Sequence, residues 1–298
     1  MISEQKLQEF LNKKSDKEKM IVIYWPTGSG KTWGSISIAQ QLKTDIISTD
    51  SRQIYREMNI GTGKVTETEM DWVTHHMLDI ISPDVKYWVW EFKNISEKLI
   101  QTIHSNGKIP ILCWGTGLYI DSLIFDFDIP KVIADNDLRA QLEYEAQEKW
   151  NQYVYDKLLE IDPEYAKELH PNNLQYVIRA IEVKTVTGKS KRDFRTEKKL
   201  KYDTLFLTPY TGDREYLYNR INLRVQMMFE EWLVKEVEKL RKVYSDDTPG
   251  LKTIGYIEIV DYLKWNTTLE ECIALVQKHN RNYAKRQLTW FGKYNQYI

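Results

Sequence analysis

Cysteine is nearly absent from the chain. Cys113 and Cys272 lie far apart, and neither has a second Cys or a closely spaced His beside it. That excludes a disulfide framework, a cysteine zinc site and a redox pair, and predicts a reduced, cytoplasmic protein. Long apolar runs are missing too: no segment approaches the ~18 residues of a membrane span. Where an export signal needs an apolar stretch, the chain has Lys13, Lys14, Asp16, Lys17, Glu18 and Lys19. Nor is there an excess of one charge, since 42 basic residues face 43 acidic ones for a net charge of -1. Any contact with nucleic acid must therefore come from local patches. Glycine is scarce, at 13 of 298, while tryptophan is abundant, at 10.

What is present suffices for a sizeable core: 298 residues at 42% hydrophobic content. Residues 1–19 read as an N-terminal extension, an amphipathic helix carrying Leu7, Phe10 and Leu11. Met20 to Tyr24 is a short apolar run ending in a Gly/Ser/Thr-rich turn. A helical pattern follows through Ile36, Ile38, Ala39 and Leu42, giving a strand, loop and helix. Asp45–Thr49 and Ile109–Cys113 are further buried-type strands, the second preceded by a helical stretch through Phe92, Ile95, Leu99, Ile100 and Ile103. This alternation predicts an α/β fold with a parallel, doubly wound sheet flanked by helices.

From 126 to 201 the pattern changes to charged helices, with Leu138, Leu142, Leu158, Val177, Ile178 and Ile181 at helical spacings, before strand-like Leu205-Phe206-Leu207. We read 126–201 as a helical insertion and 20–125 with 202–298 as the core. The C-terminal part reads as a helix from Leu217 to Val243, another from Ile254 to Leu263, and a third over Leu269–Phe291 opened by a capping box of Thr267 and Glu270.

Pro26-Thr27-Gly28-Ser29-Gly30-Lys31-Thr32 carries seven of the eight positions of a phosphate-binding P-loop, between a strand and a helix as that motif requires. Backbone N–H groups of such a turn and of the helix start hold phosphate oxygens, Lys31 neutralises them, and Thr32 supplies a Mg²⁺ ligand. A P-loop does not separate kinases, nucleoside triphosphatases and prenyl transferases, all of which grip a diphosphate. Strand two ends in Thr49-Asp50-Ser51-Arg52-Gln53, which puts Asp50 at the carboxyl edge of the sheet, in the P-loop's crevice. An N-cap or a contact to Mg²⁺ through water is the plainer reading of such an Asp. Adjacent His75 and His76 rarely point at one ion, and structural hydrogen bonding accounts for them.

The order of further blocks is specific. Asp50-Ser51-x-Gln53-x-Tyr55, the turn Ile60-Gly61-Thr62-x-Lys64, His75-His76-x-x-Asp79 and Gly115-Thr116-Gly117-Leu118-Tyr119 follow one another. Then come His170-Pro171, Arg179-Ala180-Ile181-Glu182, Arg220-Ile221-x-x-Arg224 and Tyr283-Ala284-Lys285-Arg286-Gln287-Leu288-Thr289-Trp290-Phe291. In this order they resemble the tRNA dimethylallyltransferase family over nearly the whole chain from Met20, in its bacterial form without a zinc finger.

The resemblance implies a P-loop NTPase-like core and a Mg²⁺-dependent transfer of a dimethylallyl group from its diphosphate to N6 of the adenosine at tRNA position 37, beside the anticodon, by a monomer. It implies that Thr27, Gly28, Ser29, Gly30, Lys31 and Thr32 hold the diphosphate, with Arg220 and Arg224 as its clamp. Asp50 would be the general base and Thr116 would touch the substrate nucleotide. Asp50, Ser51, Arg52, Gln53, Thr116, Arg139, Gln175, Tyr176, Val177, Ile178 and Arg179 would contact tRNA, so the insertion would grip the anticodon stem-loop. The family usually has Gln-Arg where this chain has Gln175-Tyr176. The rival readings are an isopentenyltransferase acting on free adenine nucleotides and a P-loop small-molecule kinase. The insertion and the Tyr283–Gln287 segment argue against the first, and the lack of an arginine-bearing lid argues against the second.

Two basic runs could meet RNA: Lys184, Lys189, Lys191, Arg192, Arg195, Lys198, Lys199 and Lys201, then Lys278, Arg281, Lys285, Arg286 and Lys293 with Tyr283, Trp290 and Phe291 interleaved. Finally, tryptophan stands where glycine is expected. Trp25 occupies the first Gly of the P-loop, Trp114 the first of the Gly-Gly-Thr-Gly turn, Trp232 a Gly-Leu site, and Trp265 the position after a helix end, where glycine is favoured. Exchanging every tryptophan except Trp290 would raise 13 glycines to 22, close to the usual share of about 7%. A gene using UGA for glycine but read with UGA as tryptophan predicts this pattern. A chain that truly carried these tryptophans would have a crowded P-loop, repaired by Trp25→Gly with Trp114→Gly.

Overall fold

The computed structural model describes residues 4–24, 26, 31–126, 135–194, 199–210 and 212–297, with the side chains of 31–33 outside that set. Thr27 to Gly30, Trp25, Arg195 and Lys198 thus lie outside the described residues. The chain forms two compact units, Met1–Ile124 with Leu200–Ile298, and Phe125–Lys199.

The first unit opens with α1 (Glu4–Asn12), β1 (Lys19–Ile23), α2 (Lys31–Leu42), β2 (Ile46–Ser48) and α3 (Glu67–Met70). It continues through β3 (His75–His76), α4 (Val89–Ser105), β4 (Ile111–Cys113) and α5 (Gly117–Ile124). The second unit holds α6 (Asn136–Ile161), α7 (Pro163–Ala166) and α8 (Leu174–Thr187). The first resumes with β5 (Asp203–Leu207), α9 (Arg214–Glu230), α10 (Leu233–Arg241), α11 (Tyr256–Leu263) and α12 (Leu269–Phe291).

The strands form one five-stranded sheet in the order β3-β2-β4-β1-β5, and every pairing is parallel. β1 sits between β4 and β5, with Ile21 opposite Ile111 on one side and Leu205 on the other. A strand covered on both faces needs an unbroken apolar run, and Met20 to Ile23 are fully buried. One core joins the sheet to α1 and α2 through Leu7, Phe10, Ile21, Ile36, Ile46 and Ile111. A second gathers Val225, Val237, Leu240, Tyr256, Ile259 and Val276 of the C-terminal helices around Ile54, Tyr55 and Met58, just after β2. The helical unit has its own core of Leu142, Val154, Leu158, Tyr165, Val177 and Ile181.

Several local expectations change. The helix expected from Leu217 to Val243 breaks between α9 and α10, where Trp232 takes left-handed φ and ψ of 75° and 31°. The capping box of α12 is one residue later than expected: Thr268 accepts from the Glu271 amide at 3.2 Å and Glu271 accepts from the Thr268 amide at 2.9 Å. Capping works through the residue whose backbone is extended before the first turn, and that residue is Thr268. α11 starts at Tyr256, two residues after Ile254, because Gly255 has a φ of 95° and caps it. The two-residue strand β3 was too short to show in the sequence pattern.

Candidate functional site

Because the sheet is wholly parallel, the carboxyl ends of its strands share one edge, and the loops after β2 and β4 meet there. They are stitched together. The Thr49 amide and hydroxyl both donate to the Cys113 carbonyl, at 2.8 and 2.9 Å, and the Thr116 amide donates to the Thr49 carbonyl at 3.0 Å. The Ser51 amide donates to the Thr116 hydroxyl oxygen at 3.0 Å, and that hydroxyl lies 3.2 Å from the Ser51 hydroxyl. Asp50, Ser51 and Thr116 are thus brought together. Asp50 is half-buried, and its Oδ1 accepts from the Arg52 amide at 2.8 Å in a tight local turn. α12 braces the other side: Gln287 Nε2 donates to the Gly115 carbonyl at 2.9 Å, and the Tyr283 hydroxyl reaches the same carbonyl at 3.4 Å.

Asp50, Ser51, Arg52 and Gln287 border a cleft of about 1090 Å³ that also takes in Asn59–Thr66, Tyr216, Arg220, Arg224, Lys252, Tyr283 and Arg286. Its cations, Arg52, Lys64, Arg220, Arg224, Lys252 and Arg286, outnumber Asp50, Glu69 and Glu231. Such a lining suits an anionic ligand. Burial lowers the Arg224 pKa, against which Asp50 is the foremost of the charges holding it up. Burial, then the Asp50 charge, push the Tyr283 hydroxyl up to about 12, while a hydrogen bond to Thr116 works the other way. Asp50 therefore shares its field with Arg224 and Tyr283.

Gln53 is buried, and its amide nitrogen donates to the carbonyls of Gly63 at 3.1 Å and Thr62 at 3.4 Å. Arg224 Nη2 reaches the Gly63 carbonyl at 3.4 Å from the other side. Gly63 has a φ of 54°, and a Cβ there would lie 1.5 Å from the same Nη2. Glycine is therefore needed both for the turn and for the arginine's seat. Arg220 is exposed and reaches the Tyr216 hydroxyl at 3.2 Å. α2 begins at Lys31, with Thr32 in its first turn.

The expected RNA-contacting residues Arg139 and Gln175 to Arg179 all belong to the helical unit. Gln175 and Tyr176 are exposed. The side chains of Val177 and Ile178 lie in that unit's own core, because the helical period turns these two positions inward. Arg139 and Arg179 are engaged by Glu182, a fully buried carboxylate. Arg139 Nε and Nη2 donate to it at 2.8 and 2.7 Å, Arg179 donates to it, and the Asp135 amide adds a bond of 2.8 Å. Burial pushes the Glu182 pKa up, but these donors outweigh it and hold the carboxyl below its ordinary value. The Glu182 clasp was not anticipated, although its residue stood in a matched block.

His75 and His76 make separate structural contacts. His75 Nδ1 lies 2.9 Å from the Val73 carbonyl and His76 Nε2 2.9 Å from Asp45. Among the described residues no group of three or more His, Cys, Asp or Glu could hold a metal ion, and no helix is long and apolar enough to cross a membrane. Cys113 and Cys272 are both buried, and neither is in a disulfide among the described residues.

Comparison with known proteins agrees with this geometry. Residues 53–294 match the family model described as IPP transferase. The chain is 46% identical over 281 residues to the tRNA dimethylallyltransferase of Alkaliphilus oremlandii, covering 93% of this chain and 90% of that protein. It is similar to the crystal structure of the full-length tRNA isopentenylpyrophosphate transferase of Bacillus halodurans, at 42% identity and a TM-score of 0.67, covering 92% of this chain and 87% of that one. A eukaryotic dimethylallyltransferase solved acting on tRNA matches at 31% identity and a TM-score of 0.80, covering 92% of this chain and 70% of that one. Matched by the family model over most of its length and by relatives of this identity and coverage, the chain belongs to the tRNA dimethylallyltransferase family.

Proposed function

We propose that this enzyme transfers the dimethylallyl group of dimethylallyl diphosphate to N6 of the adenosine beside the anticodon, at position 37 of tRNA, in the cytoplasm. Besides family membership, the observation that carries this reading is Asp50. It is a carboxylate at the carboxyl edge of the sheet, held by its own turn, inside a cleft with more cations than carboxylates.

The exocyclic N6 of adenine is a weak nucleophile, because its lone pair is delocalised into the ring. Rate must come from aligning it with C1 of the prenyl group and from removing a proton as the bond forms. The N6–C1 bond forms while the C1–O bond breaks, the N6 proton passes to an Asp50 carboxylate oxygen, and the electron pair leaves with diphosphate. Thr116, fixed against Ser51, would orient the nucleotide. The charge developing on diphosphate is met by the P-loop amides, Lys31, Arg224 and Arg220. A base in an anticodon loop must be turned out to enter such a cleft, at less cost than from a duplex.

Mg²⁺ typically keeps several waters and binds mainly through substrate phosphates and one or two protein oxygens. The donor set fits: Thr32 stands in the first turn of α2, the P-loop position for its ligand, and no dedicated carboxylate cage is needed. When bound, Mg²⁺ would supply charge stabilisation to the leaving diphosphate. Gln175, Tyr176, Arg179 and Arg139 of the helical unit are the candidate contacts to the anticodon stem-loop.

The test is incubation of the protein with labelled dimethylallyl diphosphate, Mg²⁺ and either unmodified tRNA or AMP. Label in tRNA is expected. Label in AMP alone would identify a free-nucleotide enzyme, and phosphate transfer from ATP to a small molecule without prenyl transfer would identify a kinase.

A further inference from the structure

The turn Asn59–Lys64 forms one wall of the cleft, yet what fixes it approaches from outside. On α10, Glu236 Oε2 accepts from the amides of Asn59 at 3.0 Å and Ile60 at 2.9 Å, and Oε1 from the Gly61 amide at 3.3 Å. The Tyr256 hydroxyl donates to Oε1 at 2.5 Å. Tyr256 is fully buried, and its ring lies so close to Gly61 that a Cβ there would meet it at 2.4 Å. Neither Glu236 nor Tyr256 lines the cleft. One carboxylate thus gathers three successive amides, and the turn's far end, the Gly63 carbonyl, is where Gln53 and Arg224 are anchored.

We propose that Glu236, held by Tyr256, is a positioning residue for the reaction: it sets the turn that seats Arg224 against the diphosphate. The inference rests on the function proposed above. In the full chain, Glu236→Gln puts an amide N–H against backbone N–H donors and removes the charge. KM for dimethylallyl diphosphate should rise about tenfold or more, with kcat changing less, since hydrogen bonds to charged groups carry effects of that order. Tyr256→Phe keeps the carboxylate and should raise KM in the same direction by less. A folded Glu236→Gln enzyme with parental KM overturns the proposal; if that variant does not fold, parental KM in Tyr256→Phe overturns it. A parent protein that transfers no prenyl group to tRNA would instead refute the proposed function.

A separate observation concerns the tryptophans. Among the described residues five tryptophans, Trp72, Trp114, Trp150, Trp232 and Trp265, have positive φ, at 65°, 98°, 70°, 75° and 63°. Only a few per cent of residues other than glycine adopt such angles, chiefly Asn, Asp and His, and a bulky residue there is an outlier. Trp150 has a ψ of 158° and breaks α6, in a region of φ and ψ that is essentially glycine's alone. Four of the five project into solvent, with Trp72 100%, Trp265 91%, Trp150 81% and Trp232 61% exposed. Trp is highly buried on average. The fifth, Trp114, puts its indole into the wall of the cleft. Trp290 behaves as an ordinary tryptophan: it is helical, and its ring packs on Gly117 so closely that a Cβ there would lie 2.2 Å away.

We infer that these five residues are glycines in the protein its own cell makes, encoded by UGA, and that Trp290 is encoded by UGG. The deciding measurements are the codons and peptide mass spectrometry of the protein isolated from its native cells. UGA at all five positions, UGG at 290 and glycine-mass peptides are expected. UGG at the five positions, or tryptophan-mass peptides spanning them, would end the inference.

Discussion

The Ser51 amide donates to the Thr116 hydroxyl at 3.0 Å, so one threonine ties the loop carrying Asp50 to the turn after β4. Thr116→Val keeps the shape but removes the acceptor. We expect a stability cost on the order of 1 kcal/mol and a larger proportional fall in kcat/KM, since the Asp50 loop loses its register. Urea unfolding beside steady-state kinetics separates the two effects. A variant with parental kcat/KM would show that the tie is structural only.

Asp50→Ala should bind tRNA and dimethylallyl diphosphate nearly as the parent does and lose turnover by roughly 10²–10⁴-fold, the range for removal of a general base. Filter binding and single-turnover rates test this. Loss of tRNA binding by the same factor would mean that Asp50 holds substrate and does not take the proton.

Lys31→Ala should chiefly weaken the diphosphate complex, because the P-loop lysine neutralises phosphate oxygens as a point charge. Isothermal titration with dimethylallyl diphosphate and Mg²⁺ measures it. Unchanged affinity would contradict the P-loop assignment.

In the helical unit, Glu182→Ala strands two arginines around an emptied buried site, and removal of one partner of a buried pair costs about 3–5 kcal/mol. The acid dependence has a definite sign. The folded-state pKa of Glu182 is depressed, so its contribution is full above the unfolded value of about 4.3 and is lost as pH falls through the lower folded value. Unfolding of the full chain in urea, followed from neutral to acid pH, should show this loss in the parent and its absence in Glu182→Ala.

At the start of α12, Thr268→Ala should cost about 1 kcal/mol, the usual worth of an N-cap, and Thr267→Ala much less. The reverse order in thermal unfolding would put the capping box back at Thr267 and Glu270.

The fold was legible where a single physical cause shaped the sequence. Met20–Ile23 reads as a buried strand because both its faces are covered, and Asp50 stands out because it directly follows such a strand. What was illegible depends on partners far along the chain. Glu236 is an ordinary charge on an amphipathic helix until Asn59, Ile60 and Gly61 are folded against it, and His75–His76 becomes a strand only through pairing with Ile46 and Ile47. The burial of the Val177 and Ile178 side chains, by contrast, was legible from their apolar character and helical spacing, which put them on the inward face of α8.

The position of β1 between β4 and β5 has a consequence for how the molecule is made. Lys19–Ile23 pairs with Asp203–Leu207, so β1 has only one of its two neighbours, β4, until about 180 further residues have left the ribosome, a long loop to close and a slow step for folding. The helical unit Phe125–Lys199 emerges within that interval with a core of its own. Domains generally fold as units, so its amides should gain protection first. Pulse-labelled hydrogen exchange during refolding should find α6 and α8 protected while β1 and β5 still exchange.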